Sequence, residues 1–592
     1  MVALSRPQPM RRAPPDGHAA PLGAVLSLWL KLGFALALVG GVYAWRYTQA
    51  ASDETFFWTQ DLPVLGIVLL LAVALRFIPM PWASPLARAA LRRPLAWSVG
   101  LAVLAFAVGL AGAPLLFGGY ELSLDEYMAD FDATIFGHGQ LMAPVAPPWR
   151  DYLPALQPLF GLTTGSNAVW ASGYLPMNAA IRALADLIHA KALVNPLWSA
   201  VSVVAVYGVA RRLWPERPGM ALAAAALLGT SSQLLLMAMT AYAMPAHLAL
   251  NLVWLWLFLL GGRTGHAGAL AVAFVACGLH QVVFHPLFAA PFVLQLWLDR
   301  RWRLAAIYTA AYAAIGVFWV EYQPALLAAF GGAAGPTHAL PGGWFAARVA
   351  PLLANVHTGA LGAMAESLLR FATWQNPLTT PLALIAGVAA FRTKGHMRAM
   401  ALGVVLTLLV MLLLMPSQSH GWGYRYLQGF MGSIALLAAW SWSRITDALP
   451  PQQRTAATSA FAAACVASLV VLLPVRAWQA WRYTAPYAAA AAAIQSAPAQ
   501  VVIIDHDQPG LAFNFGAFVR NDPYLSHTPK VLLLAGLSEP ALRQLCAHNS
   551  VLIFDGRSAA DFGIDRLKPA ADADGPYLRA VMARIGCGRR LG

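Results

Sequence analysis

Stretches of about twenty apolar residues recur along almost the whole chain, each long enough to cross the hydrocarbon core of a bilayer. About thirteen can be placed, several of them shortened or interrupted. The chain is 59% hydrophobic and only 11% charged, against roughly 45 to 50% apolar residues in a soluble domain. Lipid must be the solvent for most of it. The expected fold is a polytopic α-helical membrane protein.

The net charge of +14 does not point to nucleic acid, because the cations form no patch. They flank apolar stretches on alternate loops: Arg11 and Arg12; Arg88, Arg92 and Arg93; Arg211, Arg212 and Arg217; Arg300, Arg301 and Arg303; Arg392, Lys394 and Arg398. That is the pattern of the positive-inside rule. With the N-terminus inside, helices over 24–45, 62–78 and 96–117 lead to a large outer loop, 118–189. The first run is long enough to be a retained span rather than a cleaved leader. The first outer loop is acidic, with Asp53, Glu54 and Asp61. Residues 239–242 form a short outer turn, and 267–298 form a helical hairpin with Gly278, His280, His285 and Pro286 at a polar outer tip. An outer segment then runs to about Asn376, and everything after Arg476 lies outside.

Three units follow: 1–95, the N-terminus and two additional helices; 96–476, the main transmembrane region; and 477–592, a C-terminal domain on the outer side. The short apolar runs 501–504, 531–534 and 551–554, bounded by Asp, Gly and Pro, make that last unit α/β. It is long enough to fold alone. Cys546 and Cys587 lie within it, and sequence leaves open whether they pair.

Polar groups near a membrane are costly, so those gathered on the outer side are the first candidates for chemistry. Residues 123–137 read as a helix with Leu124, Tyr127, Met128, Phe131 and Ile135 in one stripe. Asp125 and Asp132 share one edge of it, and Glu126 points away. A partly desolvated Asp125 suits a general base, against the plain alternative of a solvated helix face. Ser123 and Glu126 have capping-box spacing, so Glu126 is either a cap or a site residue. A second cluster runs from Trp170 through Tyr174 and Arg182 to His189 and Lys191, a surface helix that either presents cations to headgroups or anchors at the interface. The third holds Tyr424, Arg425 and Tyr426 behind two glycines. There a guanidinium clamps a phosphate bidentately or snorkels to the surface. His247, His280 and His285 fall toward outer helix ends. They allow a divalent metal, with packing or hydrogen bonding as the alternative for each.

The order of these parts resembles the GT-C glycosyltransferases, in particular the branch of protein O-mannosyltransferases and the lipid A aminoarabinose transferase. The resemblance spans roughly residues 96–445. It rests on Asp125-Glu126, Gly173-Tyr174-Leu175-Pro176, Val194-Asn195-Pro196-Leu197, Met244-Pro245-Ala246-His247, His285-Pro286 and Tyr424-Arg425-Tyr426. It implies a bacterial inner-membrane enzyme with a periplasm-facing site, moving a sugar from a polyprenyl-phosphate-linked donor to a lipid, glycan or protein acceptor. Asp125, with Glu126 beside it, is then the catalytic acid pair. Two helices precede the usual first one, and Leu175 stands where many relatives carry Lys. Phosphate binding then rests on Arg425, Arg182 or Lys191. Asp132, Tyr174, His247, His285, Tyr424 and Tyr426 complete the candidate pocket.

Two other classes fit a polytopic chain. A lipid or solute transporter places polar groups near the midplane of an internal repeat, whereas these gather at one face. A glycan polymerase or ligase of the O-antigen type shares lipid-linked donors but needs a diphosphate clamp.

Overall fold

The computed structural model describes residues 20–46, 56–156, 160–332, 359–418, 421–505, 518–564 and 575–591. Arg11, Arg12, Asp53 and Glu54, singled out above, lie outside the described residues. The helices are α1 (Ala20–Arg46), α2 (Leu62–Phe77), α3 (Pro94–Phe117), α4 (Leu124–Gly137), α5 (Met177–Asp186), α6 (Val194–Leu213), α7 (Pro218–Gly229), α8 (Ser232–Met237) and α9 (Met244–Leu260). They continue with α10 (Gly262–Cys277), α11 (Phe284–Leu298), α12 (Trp302–Ala329), α13 (Ala360–Trp374), α14 (Thr379–Ala390), α15 (His396–Leu414), α16 (Met431–Asp447) and α17 (Pro451–Gln495). Helix α3 shows why such runs become spans. Proline at its first position has no N–H to lose, its interior is apolar all round, and Gly118 at φ +60° closes it.

Among the described residues seven helical stretches are long and apolar enough to cross a membrane, and four shorter apolar helices, α7, α9, α11 and α14, accompany them. The apolar run 220–238 is not one helix but is broken after Gly229. Ser231 caps α8, its Oγ accepting the Leu234 N–H at 3.4 Å, so a hydroxyl at a cap position outcompetes helix continuation.

The expected outer segment before Asn376 contains α13, a buried helix packed beside α1. It carries Arg370, which donates Nε–H to Asp61 Oδ2 at 2.9 Å. Asp61 is therefore not part of a solvated acidic loop. It ends a π turn (Phe57–Asp61), is 1% exposed, and also lies 3.4 Å from Arg476 Nη2. A buried carboxylate survives there because two guanidiniums and the Trp374 indole N–H, at 3.3 Å, surround it. Arg476 sits inside α17, held also by Thr373 Oγ1 at 2.6 Å, and the helix continues to Gln495 before the α/β unit begins.

That unit is a parallel sheet of β4 (Val501–Ile504), β5 (Lys530–Leu533), β6 (Val551–Phe554) and β7 (Arg589–Arg590), in the order β5-β4-β6-β7. Val501 pairs in register with Lys530 on one side and Val551 on the other. Cys546 and Cys587 form a disulfide with Cα atoms 5.7 Å apart. The unit does not stand alone. Val501, Ile503 and Leu532 share one core with Met128, Phe131 and Ile135 of α4 and with Trp170, whose Nε1–H donates to Pro523 O at 2.7 Å. A parallel strand such as β4, buried along its whole length, needs cover on both faces, and the loop after α3 provides one of them. That loop also folds a small antiparallel sheet, β1 (Ala143–Pro144), β2 (Gly161–Thr163) and β3 (Val169–Ser172), with β3 central.

Candidate active site around Asp125 and Arg425

The site begins with a cap. Ser123 Oγ accepts the Asp125 N–H at 3.0 Å, and Glu126 Oε2 accepts the Ser123 N–H at 3.1 Å, a complete capping box. This starts α4 sharply and fixes Asp125 in its first turn. The apolar stripe forms as its spacing predicts, with Leu124, Met128, Phe131 and Ile135 buried. Glu126 does point away from Asp125, but into protein. Its Oε1 accepts the Ala241 N–H at 3.1 Å, tying α4 to the turn between α8 and α9. Burial raises the Glu126 carboxyl to about 7 against the pull of those two N–H donors.

The tied turn delivers the Tyr242 ring beneath the Arg425 guanidinium, 4.9 Å from its carbon, and Tyr426 lies 5.7 Å away. Arg425 opens a 3₁₀ turn (Arg425–Phe430). Its backbone N–H donates to Gln418 Oε1 at 2.5 Å and its Nη2 to Gln418 O at 3.0 Å. Gly421 must be glycine: at φ +146° a Cβ there would stand 2.7 Å from Arg425 Cδ. Arg425 Nη1 then meets Asp125 Oδ2 at 2.5 Å. The other carboxylate oxygen accepts the Tyr174 hydroxyl. Tyr174 is set by its own N–H donating to Ser172 Oγ at 3.1 Å, and its ring packs 4.1 Å from that of His280. Burial pushes the Asp125 carboxyl up, but the Arg425 charge and the Tyr174 hydroxyl outweigh it and hold it at about 2.

The other candidates divide around this centre. Asp132 Oδ1 accepts the Ser172 N–H at 2.7 Å, and burial raises its carboxyl to about 7. It braces the end of β3, two residues before Tyr174. Arg182 and Lys191 do not join Arg425: Arg182 Nε meets Asp130 Oδ1 at 2.5 Å and Lys191 Nζ meets Asp130 Oδ2 at 3.0 Å. Asp125 and Asp130, five residues apart on α4, leave it roughly 140° apart. Tyr424 is fully buried and turns its hydroxyl toward Met364 Sδ at 4.0 Å.

His285 is not at the hairpin tip. Proline is tolerated in the first turn of a helix, so α11 begins at Phe284, before the His-Pro pair, and the tip is the turn holding His280. His285 bridges Asn251 Oδ1 at 2.7 Å and the Tyr312 hydroxyl at 2.8 Å. His247, 3% exposed, lines a small cavity with Arg425, Asn251 and Tyr426. Among the described residues no three of His, Cys, Asp and Glu gather to hold a metal, so His247, His280 and His285 are not brought together as ligands.

Sequence reasoning missed Tyr242, Gln418 and Arg520. Arg520 donates to Glu121 O and faces the Tyr120 and Tyr127 rings at 4.2 and 5.3 Å, binding the α/β unit to the start of α4. Tyr242 and Arg520 act across more than a hundred positions, and Gln418 acts through a loop seven residues from Arg425, so no helix or strand period marks any of them.

The fold and site together define a polytopic helical membrane protein with a buried carboxylate, guanidinium and phenol where the bundle meets its α/β cap. No protein-family model matches the sequence, and no curated protein matches it. Among solved structures the chain is similar to ArnT from Cupriavidus metallidurans in the apo state, at 13% identity and a TM-score of 0.43, over 71% of this chain and 84% of that one.

Proposed function

We propose that this chain is a membrane glycosyltransferase of the GT-C type, moving a sugar from a polyprenyl-phosphate-linked donor to a lipid, glycan or protein acceptor on the periplasmic side of a bacterial inner membrane. The observation that carries the reading is the contact of Asp125 with Arg425 at 2.5 Å. It joins two of the motifs behind the GT-C resemblance across three hundred residues and sets a base beside an anion clamp. In the reaction the acceptor oxygen bonds to the anomeric carbon as the bond from that carbon to the phosphate oxygen breaks. The acceptor proton goes to Asp125, and the lipid phosphate departs on Arg425, where its developing charge meets a fixed guanidinium. A single displacement inverts the anomeric centre. Arg182 and Lys191, held by Asp130, shape the surroundings, and the clamp rests on Arg425.

The test is mass spectrometry of envelope glycolipids and glycoproteins from a strain lacking the chain, complemented with the native sequence or with Asp125→Asn. Loss of one sugar from one acceptor, restored by the native chain alone, is expected. An unchanged glycan profile would remove the reading, and full rescue by the variant would remove Asp125 as base.

A further inference from the structure

A base sealed onto a guanidinium is a poor base, and a guanidinium sealed onto a carboxylate is a poor clamp. Both groups are well covered, with side chains 7% exposed for Arg425 and 12% for Asp125. The guanidinium has little freedom to relieve the conflict by moving. Tyr242 and Tyr426 flank it, and Gln418 grips it through both the backbone N–H and Nη2. Its Nε has no hydrogen-bond partner among the described residues. That edge is closed to a phosphate, because the cavity it shares with His247 has room for about one water. With Nη2 held by Gln418, the Nη1 edge is the one left for an anion, and Asp125 already occupies it.

We propose that the lipid phosphate and the Asp125 carboxylate compete for the Nη1 edge of Arg425, so that a bound donor unlatches the base that will act on its acceptor. The inference rests on the glycosyltransferase reading above and adds an order of events to it. Before the donor arrives, Asp125 and Arg425 neutralise each other and the site is inactive. When phosphate takes the guanidinium, one charged hydrogen bond replaces another. The carboxylate keeps the Tyr174 hydroxyl on its other oxygen, and with the cation's pull turned to phosphate its affinity for a proton rises. Acceptor deprotonation therefore follows donor binding, and a site holding acceptor alone stays silent.

The consequence runs against the usual expectation for a catalytic residue: removing the charge of Asp125 strengthens donor-side binding. The full chain in nanodiscs of neutral lipid is titrated with undecaprenyl phosphate, and binding is read from tryptophan fluorescence. Asp125→Asn is expected to tighten the dissociation constant about tenfold, since a competing anion has been withdrawn. Arg425→Gln is expected to abolish binding, and Asp447→Asn, an exposed carboxylate paired with Arg217, to leave it unchanged. Should Asp125→Asn fail to fold, Asp125→Ser removes the same charge and carries the same expectation. Equal or weaker binding by a folded Asp125 variant, with the native chain binding normally, would overturn the competition and leave the glycosyltransferase reading intact. A folded native chain that binds no undecaprenyl phosphate would overturn both.

Discussion

Two of the four carboxylates on helix α4 are each ion-paired to an arginine at 2.5 Å, and they differ in almost everything else. Asp130 meets two cations, Arg182 and Lys191, both within about sixty residues of it in the chain and both from the same loop. Asp125 meets one cation, brought three hundred residues along the chain, walled by aromatic rings and held from behind by Gln418. The Asp130 cluster closes a loop on itself. The Asp125 pair joins the loop to the far end of the bundle, where exchanging one anion for another changes the chemistry on offer. On the proposed glycosyltransferase reading, pairing distance therefore does not separate a structural ion pair from a reactive one; the count of cations and the elements they come from do.

The comparison is broken most directly by neutralising each carboxylate in turn. Asp125→Asn is expected to lower sugar transfer by about 10² to 10⁴, the usual worth of a general base, and, because it strands the buried Arg425 guanidinium, to lower the thermal midpoint as well. Asp130→Asn should cost stability and spare the chemistry. It leaves the buried Arg182 with Glu121 as its nearest remaining acid and costs about 2 kcal/mol of stability, discounted because Lys191 is a third exposed, while activity per folded molecule stays within severalfold. Parallel assays of transfer and thermal unfolding on both variants decide. Equal losses of activity would erase the distinction.

A pH series sharpens it. Asp132 braces the end of β3 just before Tyr174, and burial raises its carboxyl from 3.8 to about 7. The folded state therefore favours the protonated acid. That contribution to stability is complete below the ordinary carboxylate value and is lost as pH rises through about 7. Glu126 shifts in the same direction. The thermal midpoint should fall between about pH 4 and about pH 7 and level off above, and Asp132→Asn, whose amide oxygen still accepts the Ser172 N–H, should flatten part of that slope. An unaltered slope in the variant would detach Asp132 from the effect.

How much of this was legible beforehand depended on range. The α4 stripe, its capping box and three of the four C-terminal strands rest on period and spacing within a dozen residues, and each formed within a residue of where the sequence placed it, while the hairpin formed with its tip at His280 rather than at His285-Pro286. Asp61 went astray because a carboxylate beside a span looks solvated until its partners are known, and Arg370 and Arg476 lie more than three hundred residues on. Arg182 and Lys191 went astray the other way. As cations near a surface they suit phosphate, and nothing local showed that Asp130 had taken them. Asp125 and Arg425 were each visible as candidates; their contact was not, since it depends on how α9, the Gln418 loop and α4 converge.

The smallest expected effect probes the hydroxyl on Asp125. Tyr174→Phe keeps the ring against His280 and removes one hydrogen bond to a carboxylate. Two consequences oppose each other. The carboxylate loses a donor that lowers its proton affinity, which moves the acid limb of the rate profile upward by less than about one pH unit. It also loses the contact that holds its orientation once phosphate has drawn Arg425 away, which lowers kcat severalfold. A pH profile of kcat shows both at once. A lowered rate with an unmoved limb would make Tyr174 a spacer for the ring stack alone. A moved limb would place its hydroxyl on the working base, whereas both oxygens of Asp130 are already held by cations.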